Sequence, residues 1–94
     1  MWGLFTTKST FNSDISNFDT SKVTTFYSMF YKAAKFNQDV SHFSTSKATT
    51  MRNMFKGASM FNQDLLTWDT SNVLSMQEMF NQAANFNRPL ISFD

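Results

Sequence analysis

Two rhythms of apolar and polar residues succeed each other along this chain, and the pair returns at a fixed step. Phe-Asn recurs at residues 11, 36, 61 and 86, always 25 residues apart. A step of this size is the signature of stacked structural repeats. Three full units, 11–35, 36–60 and 61–85, stand between a partial unit 1–10 and a partial unit 86–94, and residues 1–94 read as one domain. In the second half of each unit the apolar residues are Val23, Phe26, Met29, Phe30 and Ala33, then Ala48, Met51, Met54, Phe55 and Ala58, then Val73, Met76, Met79, Phe80 and Ala83. Their offsets of three, three, one and three trace one face of a helix. Asp19-Thr20-Ser21, Ser44-Thr45-Ser46 and Asp69-Thr70-Ser71 stand where the acceptors of a helix N-cap are needed.

The first half of the unit is too short and too polar for a second helix. Counting Phe11 as position one, its apolar columns are position one, position five (Ile15, Val40, Leu65, Leu90) and position eight (Phe18, Phe43, Trp68, Phe93). This spacing predicts a short strand around position five. One short parallel strand and one helix per 25-residue unit predict an α/β repeat, a right-handed leucine-rich-repeat-like solenoid. Eleven of the twelve Phe fall in positions one, eight and twenty, which predicts aromatic ladders as the core. Gly57 would suit a left-handed helix C-cap, but Lys32 and Gln82 share its column, so a left-handed backbone is not expected to be obligatory there. Pro89 cannot donate to a ladder and makes an ordinary interior strand at the last repeat unexpected.

The words themselves carry a resemblance. "MFKGASMFNQDLLTWDTSNVLSMQEMF" resembles the repeat of about 25 residues found in surface proteins and lipoproteins of mycoplasmas and Listeria-like bacteria, related to the BspA-like leucine-rich repeats. It covers Leu4 through Asp94, with Ala48 for Val, Leu66 and Ile91 for Ser, and Arg88-Pro89 for Gln-Asp as its departures. The resemblance implies a leucine-rich-repeat-like fold, surface display, and a role in adhesion or protein contacts. It brings no catalytic residues with it.

Composition narrows the rest. At 94 residues the chain buries only roughly 60% of its unfolded surface, so its stability must come from dense packing of 12 Phe and 7 Met. A net charge of +1 gives no general attraction to nucleic acid or to an anionic membrane. With no Cys there is no disulfide framework and no thiolate metal site, and cysteine usage leaves the compartment open. The opening MWGLF lacks the features of a secretory leader, and no apolar run approaches a membrane span. Charge is nonetheless polarised along the chain. Up to Gly57 seven basic residues face three acidic ones, a net +4, and beyond it one faces four, a net −3.

The candidate chemistry is sparse. Asp14, Asp39 and Asp64 form a column that reads either as a cation ladder or as carboxylates accepting backbone N–H groups within their own turns. Asn12, Asn37, Asn62 and Asn87 form a second column, whose amides can bond neighbouring units and local backbone. The Thr-Ser pairs lack a His or Lys partner at repeat spacing and read as caps, not nucleophiles. No catalytic, cofactor-binding or metal-binding residue is expected, and no cofactor. The apolar residues off the repeat pattern are Tyr27, Tyr31, Met60, Leu66, Leu74 and Ile91, and the candidate contact residues are Asn17, His42 and Thr67 in one column, Leu66 and Ile91 in another, with Tyr27 and Tyr31. The expected function is a non-enzymatic protein-interaction solenoid serving surface adhesion, with a protein as partner. The alternative is a structural subunit that stacks end to end, since 94 residues fall six short of four units and two copies would nearly continue the register.

Overall fold

A computed structural model describes residues 3–88. The repeat governs it throughout, but by way of turns. Among the described residues there is no helix, and β pairing is confined to two isolated parallel bridges, Thr25 to Thr50 and Thr50 to Ser75. The leucine-rich-repeat-like α/β solenoid with one helix and one strand per unit is therefore not formed. The chain makes a compact block of 30 × 25 × 18 Å with a radius of gyration of 11.8 Å. The bridges lie at position fifteen and not at position five, where the strand was expected; Leu90 and Phe93 of the strand reading, and Pro89, lie outside the described residues.

The reason the helix fails is visible in the backbone. Positions eighteen and twenty-two are left-handed in every unit: Gly3, Ser28, Asn53 and Glu78 have φ of 59°, 55°, 58° and 57°, and Thr7, Lys32, Gly57 and Gln82 have 58°, 56°, 75° and 62°. A left-handed residue every fourth position cannot continue a right-handed helix, and it is costly wherever a Cβ is present. From Thr7 onward each instead sits third in a four-residue turn, the place where a type II turn requires positive φ. These turns are closed by Met29 N–H to Phe26 C=O at 3.1 Å and Ala33 N–H to Phe30 C=O at 3.0 Å, and again by Met54 to Met51 and Ala58 to Phe55. Consecutive four-residue turns put side chains on one side at the same offsets of three and one that a helix face shows. The left-handed backbone that Lys32 and Gln82 made unexpected is thus obligatory in that column.

The alternate N–H groups leave the unit. Phe26, Ser28, Phe30 and Lys32 donate to the carbonyls of Thr50, Arg52, Met54 and Lys56 at 3.0, 3.0, 2.9 and 2.7 Å. Met51, Asn53, Phe55 and Gly57 repeat this toward Ser75, Gln77, Met79 and Asn81. The backbone groups a helix would have paired internally are thus divided between a local turn and the next unit.

The other half of the unit also turns twice. Phe18 N–H reaches Ile15 C=O and Val23 N–H reaches Thr20 C=O, both at 3.0 Å, with the same two bonds in the next two units. The acceptors expected to cap a helix cap these turns instead: Asp19 and Asp69 accept the N–H of Ser21 and Ser71 at 2.9 and 3.0 Å. Inside, the rings pair and stack. Phe30 and Phe36 lie 4.0 Å apart, as do Phe55 and Phe61, and these pairs continue along the block through Phe30–Phe55 at 5.5 Å and Phe36–Phe61 at 5.9 Å. All four rings are fully buried, together with Met29, Met54, Val40 and Leu65. Asn53 carries the one buried side-chain oxygen without a hydrogen-bond partner among the described residues.

Candidate interaction surface

The recurrent polar side chains serve the joints between units. Asn12 Oδ1 accepts Asn37 N–H at 2.8 Å, Asn37 Oδ1 accepts Asn62 N–H at 2.9 Å, and Asn62 Oδ1 accepts Asn87 N–H at 3.0 Å. Gln38 and Gln63 reinforce the first two by donating to the same Asn carbonyl and amide oxygens. Buried Thr20 accepts Ser44 N–H on its Oγ1 at 2.8 Å, and Thr45 accepts Asp69 N–H at 2.9 Å and donates to Asp69 C=O at 3.1 Å. Trp68 Nε1–H reaches back to Val40 C=O at 3.0 Å.

The Asp column behaves as a set of turn acceptors. Asp14, Asp39 and Asp64 each accept the N–H two residues ahead, from Ser16, Ser41 and Leu66, at 2.8 Å. The N–H and hydroxyl of Ser16 and Ser41 hold the Asp14 and Asp39 carboxyls below their ordinary range. Among the described residues no group of three His, Cys, Asp or Glu is placed to hold a metal ion.

The column of Asn17, His42 and Thr67 does come to one exposed edge, and two of its members are tied to the preceding unit. His42 Nε2 lies 3.1 Å from Ile15 C=O, a bond it donates when Nε2 carries the proton, and its ring stands edge-on to Phe43 at 5.0 Å. Thr67 Oγ1 donates to Ser41 C=O at 2.8 Å. Leu66, next to Thr67, is 39% exposed; Ile91, its expected neighbour, lies outside the described residues. Tyr27 and Tyr31 belong to the opposite half of the unit, both half-buried, with Lys32 Nζ 5.2 Å from the Tyr31 ring. The seven residues are therefore divided between two separate parts of the surface and the undescribed segment.

Two further off-pattern apolar residues, Leu74 and Met60, stand exposed. Leu74 is 88% exposed, beside the β bridges, at a position where Thr24 and Thr49 precede it. The replacement of Thr by Leu in that column is the signal that could have placed it among the contact residues. Met60, 49% exposed, borders a shallow depression of about 500 Å³ shared with Asn12, Ala34, Lys35 and Ser59. Lys56 and Glu78 form an ion pair across units at 2.9 Å.

No helix of the described residues is long and apolar enough to cross a membrane. No curated protein and no solved structure matches the chain. The model of a family described as "Mycoplasma protein of unknown function, DUF285" matches residues 1–94, and with the match running the full length the chain belongs to that family.

Proposed function

We propose that the chain is a non-enzymatic protein-interaction module that contacts its partner through exposed residues departing from the repeat. The observation that carries this reading is the division of labour among side chains. The recurrent Asn, Thr and Asp groups are engaged in joints and turns, whereas Leu66, Leu74 and Met60, which break their columns, stand exposed. Apolar side chains left in water at such positions favour a macromolecular contact over a small-molecule site. Surface adhesion is the form of contact favoured by the resemblance to mycoplasma surface-protein repeats, and with it a location at the cell surface. Kinship with the BspA-like repeats is a reading of the sequence words alone, resting on the 25-residue step and the Met-Phe and Phe-Asn-Gln-Asp spacing.

Adhesion is tested by coating beads with the protein and counting their attachment to cultured epithelial cells. Attachment should exceed that of albumin-coated beads and fall to that level for a Leu66→Ser, Leu74→Ser double variant. Equal attachment of the wild type and albumin at every coating density would overturn the reading.

A further inference from the structure

The two ends of the described block are chemically complementary. At one end the joint-forming row stops: Met76, Glu78 and Gln82 occupy positions sixteen, eighteen and twenty-two, whose backbone N–H groups donate to the following unit elsewhere, and here these three N–H groups donate to nothing among the described residues. At the same end the Ala84 carbonyl and Asn87 Oδ1 stand where Ala34 C=O and Asn37 Oδ1 accept the following unit, and neither accepts a hydrogen bond among the described residues. The other end presents the opposite set. Among the described residues Thr10 and Asn12 N–H, the counterparts of Met60 and Asn62, donate to nothing, and the Thr6 carbonyl, in the column of Lys56, accepts only its neighbour Thr7 Oγ1.

We propose that one end of the block receives the opposite end of a second copy in the same 25-residue register, so that copies join head to tail. In that register Gln82 N–H meets Thr6 C=O, Thr10 N–H meets Ala84 C=O, and Asn12 N–H meets Asn87 Oδ1. The Phe5–Phe11 pair, 4.0 Å apart, comes to lie on the Phe80–Phe86 pair, 4.2 Å apart, continuing both ladders. Leu4, 47% exposed, is covered as Met29 and Met54 of its column are, both fully buried. The net +4 of residues up to Gly57 and the net −3 beyond it orient the encounter head to tail and disfavour head to head. Such a contact joins different patches on the two copies, so each dimer keeps one open end of each kind to which further copies can add. It is independent of the lateral contact proposed above: a monomer could bind through Leu66 and Leu74.

The test is sedimentation velocity of the 94-residue chain from about 1 μM to about 500 μM, a range that detects micromolar to near-millimolar association. The wild type should grow beyond dimers as concentration rises and shrink again in high salt. Leu4→Lys blocks one end and Ala84→Arg the other; both positions are exposed, so the circular dichroism spectrum should not change. Each variant alone should associate at least tenfold more weakly. Mixed in equal amounts they should form a one-to-one dimer and nothing larger, because only one pair of ends remains open. Asn87→Ala, which removes an oxygen that accepts nothing among the described residues, should weaken growth by a smaller factor. A wild type that stays monomeric throughout, single variants that associate as the wild type does, or a mixture that grows past the dimer would each overturn the proposal.

Discussion

Each unit has two arms, and they are joined to their neighbours by different chemistry. In the arm from position fifteen to position twenty-five the joints are N–H to C=O bonds of the main chain, such as Phe30 to Met54 and Phe55 to Met79, both 2.9 Å. In the arm from position two to position ten side chains take part: the Asn amide oxygens, the Thr hydroxyls and Trp68 Nε1. The sequence repeats accordingly. Position two is Asn in every unit and position ten is Thr, and the joints use the amide oxygen of the one and the hydroxyl of the other as acceptors. Position eighteen, held in one left-handed conformation by main-chain joints, carries Gly3, Ser28, Asn53 and Glu78. A backbone joint tolerates side-chain change, whereas the Asn and Thr joints recur with the same residue in every unit.

The comparison breaks most visibly in the core behind the backbone-joined arm. Phe55 is fully buried, 4.0 Å from Phe61 and in stacked contact with Phe30 and Phe80. Phe55→Ala should destabilise by about 3–5 kcal/mol, measured by urea denaturation. A loss of under about 1 kcal/mol would mean that the ladders are not the principal source of stability. In the side-chain arm Thr45→Val keeps the shape of a buried residue but removes both bonds to Asp69, leaving its N–H unpaired. The expected cost is about 1–3 kcal/mol. If it instead matched a surface substitution, the hydroxyl staple would be ornamental and the arm would be held by packing alone.

Much of this was readable beforehand, and the limit of what was readable has a physical cause. The 25-residue step and the ring columns follow from identity at fixed spacing, and they locate the ladders without any knowledge of the backbone. The second reading of the Asp column, carboxylates accepting local N–H groups, is the geometry found at Asp14, Asp39 and Asp64. Val23, Phe26, Met29, Phe30 and Ala33 suggest a helix where none forms, because their spacing shows only which residues face inward. The left-handed residues that decide between turns and a helix carry Gly in just two of eight places, so the usual signal is missing. The apolar column at position five predicts a strand there, whereas the bridges form at the polar Thr25, Thr50 and Ser75. At the surface, His42 and Thr67 were legible as neighbours, but their bonds to Ile15 and Ser41 of the preceding unit depend on a backbone path that spacing cannot specify.

A gain should be obtainable where the backbone-joined arm is strained. Asn53 holds φ of 58° and buries an amide oxygen with no partner among the described residues. Asn53→Gly removes that oxygen and suits the left-handed backbone, though it also frees the unfolded chain. We expect a net stabilisation of about 0.5–1 kcal/mol, seen as a higher midpoint in thermal denaturation. A lower midpoint would show that the Asn53 amide contributes to the joint and that side-chain tolerance in this arm is narrower than its sequence variety suggests.

The smallest effect separates the two arms by pH. The carboxyls of Asp14, Asp19 and Asp39 are held below the ordinary range first by the N–H and then by the hydroxyl of the serine two residues ahead, and Asp69 by the hydroxyl and then the N–H of Ser71. All four lie in the side-chain-joined arm. A carboxyl whose folded value is depressed stabilises the fold fully above its unfolded value, about 3.9, and that contribution is lost as pH falls through the folded value. Acidification from about pH 5 to about pH 2.5 should therefore loosen this arm first. Amide exchange corrected for its intrinsic pH dependence should show falling protection at Ser44 and Asp69, whose N–H groups bond to Thr hydroxyls, while Phe30 and Phe55 stay protected. Equal loss in both arms would mean that the units open as one cooperative body and that the difference in joint chemistry has no counterpart in local stability.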